Sequence, residues 1–261
     1  MNQPQHLGSC RRTSSLLLGA GIMDTKPKLI IFDCDGVLVD SELIASAAEA
    51  EEITRAGHSI SVEEAVEQFA GVPATDMYRI IENRLGMPLP VDLSARIDAR
   101  VRELYLSELA AIDRVRETVR ALQIPCCVAS SSAPNRLGLA LAKTELFDLF
   151  YPNVFSTVLV RHGKPAPDIF LYAAEKMGVP AADCIVVEDS IAGVTAAKAA
   201  GMTALGFVGG GHCPPSHAAR LKEAGAKQVF SRFEDLLAII EGTSGERLGP
   251  SELRSEVALT M

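Results

Sequence analysis

The sequence predicts an α/β protein: a parallel sheet with helices on both faces, and a small α-helical domain inserted after the first strand. Three observations carry this. From about residue 114 to 241, short apolar runs alternate with helical patterns, as in chained βαβ units. Between Ser41 and Ile112 the pattern is helical throughout and contains no strand. Three apolar runs of strand length also end in polar side chains: Leu29–Phe32 in Asp33 and Asp35, Ile124–Ala129 in Ser130, and Cys184–Val187 in Glu188 and Asp189.

The bulk properties narrow the function classes. A chain of 261 residues, 48% hydrophobic and 22% charged, is long enough to bury a real core and ordinary in composition for a globular protein. A formal net charge of −8 disfavours nucleic acid and anionic membrane as main partners. No apolar stretch approaches the roughly 20 residues of a membrane span. The six cysteines (Cys10, Cys34, Cys126, Cys127, Cys184 and Cys213) form no C-x-x-C pair, and Cys126, Cys127 and Cys184 lie in strand-like runs. They read as small buried apolar residues of a cytoplasmic, reducing setting. His212, Cys213 and His217 lack a fourth metal ligand at sensible spacing, and Gly209-Gly210-Gly211 with Pro214-Pro215 reads as a surface loop rather than a zinc site.

Residues 1–25 show little periodicity and read as a disordered tail. Leu16-Leu17-Leu18 after Arg11-Arg12 is too short for a secretory signal, and Met23 is a candidate alternative start. Leu29 to Phe32 is a buried strand. Gly36 permits a sharp exit, and Asp40 or Ser41 is placed to cap the next helix. Ser41 to Ala56, rich in Ala and Glu, is a helix stopped by Gly57. Ser61 with Glu64 three residues on is a capping-box pattern opening a helix to Phe69. Gly71-Val72-Pro73 breaks the chain, and Thr75 to Leu85 resumes it up to Gly86. Leu93, Ile97, Val101 and Leu104 then recur at helical spacing.

Beyond Arg114 the predicted order is helix Val115–Leu122, strand Ile124–Ala129, helix Pro134–Lys143 and short strand Val154–Ser156. Helix Pro167–Met177, strand Cys184–Val187, helix Ile191–Ala200 and strand Thr203–Phe207 follow, then helix Ser216–Ala224, strand Gln228–Phe230 and helix Phe233–Ile240. The expected domains are a core of residues 26–40 and 114–241, a helical domain of 41–113, and flexible tails at 1–25 and 242–261.

Ligands of open α/β sheets bind beyond the carboxyl ends of the strands, and there the chemistry collects. In extended chain Asp33 and Asp35 point the same way. Carboxylates are costly to bury unpaired, so a strand alone does not explain them. With Glu188 and Asp189 they make four acids that would raise one another's pKa values, and a hard divalent cation such as Mg²⁺ relieves that repulsion. The plain structural alternative is that Glu188 and Asp189 cap the next helix. Ser130-Ser131-Ser132 offers hydroxyls and N–H groups to an anion, or simply caps a helix before Pro134. Lys164, in the proline-stiffened Gly163-Lys164-Pro165-Ala166-Pro167-Asp168 loop, is a candidate phosphoryl ligand, or else a solvated surface charge. No phosphate loop, nucleophile elbow or dinucleotide fingerprint is present, so a carboxylate nucleophile fits best.

Asp33-Cys34-Asp35-Gly36-Val37, Ser130 after its strand, Lys164-Pro165-Ala166-Pro167-Asp168 and Glu188-Asp189-Ser190-Ile191-Ala192-Gly193 together resemble the haloacid dehalogenase-like (HAD) hydrolases. The similarity is to the branch holding β-phosphoglucomutase, phosphoglycolate phosphatase and bacterial sugar-phosphate phosphatases, and runs from Leu29 to about Leu237. It implies a Rossmann-like core with a helical cap. It implies that Asp33 is the nucleophile that becomes an aspartyl phosphate, that Asp35 moves protons, and that Ser130 and Lys164 hold phosphoryl oxygens. Mg²⁺ would be held by Asp33, the Asp35 carbonyl, Glu188 and Asp189, with substrate specificity around Gly71 to Asp76 and Ser131 to Arg136. Asp35 argues for phosphoryl chemistry over dehalogenation. Ala45 and Ala74 stand where the mutases carry a His and an Arg, which argues for a phosphatase of sugar or sugar-acid phosphates such as 6-phosphogluconate over a β-phosphoglucomutase-type phosphotransferase. A third reading, from another class, is a non-catalytic protein that binds a phosphometabolite. The expected partner is a small phosphorylated metabolite, with no nucleic acid and no membrane, for a monomer or small homo-oligomer.

Overall fold

The computed structural model describes residues 26–69 and 74–242. The tails expected at 1–25 and beyond 242, Met23 and Gly71 lie outside the described residues. Six strands form one parallel sheet: β1 (Leu29–Phe32), β2 (Cys126–Ser130), β3 (Val154–Ser156), β4 (Cys184–Glu188), β5 (Thr203–Phe207) and β6 (Gln228–Phe230), in the order β3-β2-β1-β4-β5-β6. The chain starts in the middle, winds outward to β3, and returns to place β4 on the other side of β1. The switch point of the sheet is therefore the β1/β4 pair.

Side chains along β1 alternate between two cores. Ile30 and Phe32 join Val128, Ile185, Val187, Leu205 and Phe207 on one face. Leu29 and Ile31 join Cys127, Ala129, Val186 and Ala204 on the other. Both faces are buried, which is why the strands read as unbroken apolar runs. The first face packs against α5 (Val115–Ala121), α6 (Pro134–Lys143), α7 (Phe147–Phe150) and α11 (Asp235–Glu241). The second packs against α8 (Asp168–Lys176), α9 (Ile191–Ala199) and α10 (His217–Ala224).

Four helices lie between β1 and α5: α1 (Glu42–Arg55), α2 (Val62–Phe69), α3 (Ala74–Leu85) and α4 (Leu93–Glu108). The capping box at α2 forms reciprocally: Glu64 N–H donates to Ser61 Oγ at 3.1 Å, and Ser61 N–H to Glu64 Oε2 at 2.9 Å. Neither candidate caps α1. The Ser41 hydroxyl turns to Asp35, and Asp40 accepts from the Gly211 N–H at 3.0 Å. Along α4 the buried stripe is Leu93, Ile97, Val101 and Tyr105, at a steady spacing of four, with Leu104 half-buried beside it. The four-residue α7 went unforeseen because it is too short to show a period.

An aromatic cluster joins the central strand to the elements that cover it. Phe32 is fully buried, with its ring edge-on to Phe150 and stacked on Phe233, both at 5.9 Å between centroids. Phe32→Ala is expected to destabilise the fold by about 3–5 kcal/mol, by lost transfer energy plus a cavity. Urea unfolding of the two proteins measures the difference.

Candidate active site

The sheet register brings the acids to one edge. Phe32 pairs with Val187 and Val128, and the Asp33 N–H donates to the Val187 carbonyl at 3.0 Å. Asp33 thus leaves β1 beside Glu188 at the end of β4. Asp33 and Glu188 are 7% and 1% exposed, and the cation between them is Lys164, whose side chain is 5% exposed. Its Nζ donates to Asp33 Oδ1 at 2.5 Å, Glu188 Oε1 at 2.7 Å and the Ala129 carbonyl at 3.1 Å, and it sits 4.9 Å from the centre of the Phe170 ring. A surface role for Lys164 is excluded. Burial disfavours its charge, but Asp33 and Glu188 outweigh burial and hold the ammonium above its usual pKa. Burial likewise pushes the Asp33 carboxyl well above the usual carboxylate range. Lys164 opposes that rise, and Glu188, Asp189 and Asp35 add to it.

The reading of Glu188 and Asp189 as helix caps does not hold. Ser190 caps α9, its Oγ accepting from the Gly193 N–H at 2.9 Å. The Ser190 N–H and hydroxyl both donate to Glu188 Oε2 at 2.9 Å. Glu188 lies against Gly193, where an added Cβ would come within 1.8 Å of its Cδ. Asp189 lies against Gly36, where φ is +75° and a Cβ would stand 2.0 Å from Asp189 Oδ2. That Oδ2 also accepts from His212 Nε2 at 2.9 Å.

Asp35 reaches the same edge but a different set of partners, because the chain leaves extended geometry after Asp33. Val37, Leu38 and Val39 all turn their N–H groups back to the Cys34 carbonyl. Asp35 Oδ1 accepts from the Ser41 hydroxyl at 2.7 Å and the Tyr105 hydroxyl at 3.2 Å, and Oδ2 from the Ser132 hydroxyl at 2.6 Å. Arg136, opening α6, donates to the Tyr105 oxygen from Nε at 3.1 Å and Nη2 at 2.9 Å, with its guanidinium 5.3 Å from the ring centre. Ser130 is buried at the end of β2, and its Oγ accepts from the Ser132 N–H at 3.0 Å. Ser131 is exposed.

Of the residues expected from sequence, the structure brings Asp33, Lys164 and Glu188 into direct contact and leaves the Ser130 hydroxyl on the Ser132 N–H; the contacts made by Ser41, Tyr105 and His212 were not foreseen. The signal for Tyr105 was present as the next fourfold step after Val101. His212 gave no signal, because its partner is 23 residues away in sequence.

Among the described residues, no three His, Cys, Asp or Glu side chains form a ready-made metal cluster. The donor chemistry nevertheless suits a hard cation. The ion pairs above engage Asp33 Oδ1 and Asp189 Oδ2 and leave Asp33 Oδ2 and Asp189 Oδ1 outside them, the carboxylates outnumber Lys164, and a cation that retains water needs few protein oxygens.

The chain belongs to the haloacid dehalogenase-like hydrolases, whose family profile matches residues 27–201. It is 32% identical over 187 residues to the 6-phosphogluconate phosphatase of Escherichia coli, covering 71% of this chain and 85% of the relative. Among solved structures, a haloacid dehalogenase-like protein from Agrobacterium tumefaciens is 41% identical, with a TM-score of 0.76 over 84% of this chain and 99% of that one. A HAD-family hydrolase from Deinococcus radiodurans, solved with bound phosphate and sodium, is 29% identical, with a TM-score of 0.71 over 85% and 99%. Among the described residues no helix is long and apolar enough to cross a membrane.

Two outcomes are expected from the packing and electrostatics of the site. Gly193→Ala forces Glu188 aside and costs about 1–3 kcal/mol of stability by overpacking, and an unchanged urea midpoint would show that Glu188 does not press on α9. Glu42, half-buried, has its carboxyl raised to about 7 by burial and by Asp189 and Asp35. The unfolded chain releases that proton at about 4.3, so stability falls as pH rises between the two values and levels off above 7. Glu42→Gln should be more stable than the parent at pH 8 and equal to it near pH 4, measured by thermal unfolding with a chelator present.

Proposed function

We propose that the protein is a Mg²⁺-dependent phosphatase of small phosphorylated metabolites, sugar or sugar-acid phosphates, working through an aspartyl phosphate on Asp33. The observation that carries the reading is a carboxylate buried at the switch point of the sheet, held at 2.5 Å by a buried lysine, with a second acid two positions further along the chain. Lys164 fixes the Asp33 carboxylate through Oδ1, and a carboxylate oxygen of Asp33 attacks phosphorus. The new Asp33–phosphorus bond forms as the ester oxygen–phosphorus bond breaks, and Asp35 gives a proton to the departing oxygen. Asp35 then takes a proton from water as that water attacks phosphorus, releasing phosphate and restoring Asp33.

Ser130 and Lys164 hold phosphoryl oxygens, and Ser131 and Gly71 are further substrate-binding candidates from the sequence. Asp33, the Asp35 carbonyl, Glu188 and Asp189 would hold the Mg²⁺, which neutralises phosphoryl charge when bound. Residues 41–113 act as a cap over a core of 26–40 and 114–241, and exclude bulk water from the site. The 6-phosphogluconate phosphatase relative and the phosphate-bound structure support the substrate class.

Water is the acceptor in this reading because Ala45, 8% exposed on α1, is a methyl that moves no proton. A phosphotransferase needs an acid–base group on that side. A panel of phosphomonoesters, assayed for free phosphate with Mg²⁺, tests the proposal. Sugar or sugar-acid phosphates should be hydrolysed, a chelator should stop release, and added Mg²⁺ should restore it. Asp33→Asn should release none, and Asp35→Asn should lose about 10²–10⁴-fold in kcat. Release from no phosphomonoester, or equal turnover by Asp33→Asn, would overturn the proposal.

A further inference from the structure

The loop between β5 and α10, with the first residue of α10, makes three contacts beside the acid cluster, two of them to Asp189, that the phosphoryl chemistry does not itself require. Gly211 N–H donates to Asp40 Oδ1 at 3.0 Å. The His212 Nε2 lies 2.9 Å from Asp189 Oδ2, and the His217 Nε2 lies 2.5 Å from the Asp189 backbone carbonyl. A carbonyl and an ionised carboxylate only accept, so both imidazoles donate from Nε2. Asp189 is thus held at its main chain by one histidine and at its side chain by another.

The seat of His212 is shaped for the ring. A Cβ at Gly36 would stand 2.8 Å from His212 Cε1, and one at Gly210 would stand 2.8 Å from both Cε1 and Nδ1. The imidazole therefore lies against both glycines. Its side chain is 10% exposed, against 8% for Asp189. Cys213 Sγ is 3.4 Å from the same Nε2. A surface loop would not bury its histidine against a buried carboxylate between two glycines.

We infer that His212 is a positioning residue for Asp189: its Nε2–H occupies Oδ2, fixes the carboxylate plane, and thereby sets Oδ1 as the oxygen left for a cation. The inference rests on the Mg²⁺-dependent reading of the site. Mg²⁺ tolerates little departure from octahedral geometry, so a ligand carboxylate that rotates freely binds it poorly. Groups that orient a ligand in this way are worth about 10–100-fold in metal affinity.

The experiment is a calorimetric Mg²⁺ titration of the full chain without substrate, comparing the parent with His212→Met and His212→Gln. Methionine fills the slot and has no donor, whereas the glutamine amide N–H reaches toward the same oxygen. Met should weaken Mg²⁺ binding about 10–100-fold, and Gln should recover most of the loss. Urea midpoints of all three identify any variant whose fold has failed, and the other variant then decides. Equal affinity of parent and Met variant would overturn the inference, as would a Gln variant as weak as Met. A parent that binds no Mg²⁺ would overturn the metal-dependent reading and the inference with it, and so differs from a failure of His212 alone.

Discussion

The structure turns on one buried cation. Lys164 lies between Asp33 and Glu188 with its side chain 5% exposed, and donates to both at 2.7 Å or less. Removing a charge from water costs several kcal/mol per ion, and close, well-directed pairing is what returns it. Three carboxylates, Asp33, Glu188 and Asp189, are each under a tenth exposed at this edge of the sheet. One lysine cannot neutralise them all. Burial is what chiefly lifts the Asp33 carboxyl; Lys164 opposes that rise, and the surplus negative charge of Glu188, Asp189 and Asp35 adds to it.

The fold supplies the positions. Because β1 lies at the centre and β4 beside it, the ends of both strands meet at the switch point, and Asp33 and Glu188 arrive there on rigid backbone. The glycines make room. Gly193 lets α9 start against Glu188, and Gly36 lets the chain turn against Asp189. The helical segment is tied to the same place through Asp35. Its two oxygens take hydroxyls from Ser41 just before α1, Tyr105 on α4 and Ser132 between β2 and α6, and Arg136 on α6 donates to the Tyr105 oxygen. A shift of the helices therefore changes what Asp35 touches, which links the proposed cap to the proposed proton carrier.

How far this was legible from residues alone follows from range. Strands such as Val154–Ser156 and Thr203–Phe207, and the helix Pro134–Lys143, stand where apolar runs and Pro at a helix start placed them, because those signals are local. Asp33, Asp35, Glu188 and Asp189 were visible because acids at the ends of apolar runs violate the pattern of a simple strand. Ser41 was misjudged as a helix cap because an N-cap position does not say where the hydroxyl turns. Tyr105 and Arg136 meet across 31 residues, and His212 and Asp189 across 23, and no spacing rule reaches between elements that only the folded chain brings together. His212 and His217 were read as a surface loop; the structure packs both onto Asp189 instead.

The most direct test of the central claim is chemical. Turnover of a phosphomonoester that the protein hydrolyses is quenched in acid and reduced with borohydride, which converts an acyl phosphate to the alcohol, and the digest is read by mass spectrometry. Homoserine should appear at position 33, only when substrate is present, and not at Asp35, Glu188 or Asp189. Rapid phosphate release with Asp33 unchanged in every quenched sample would contradict a covalent intermediate on that residue.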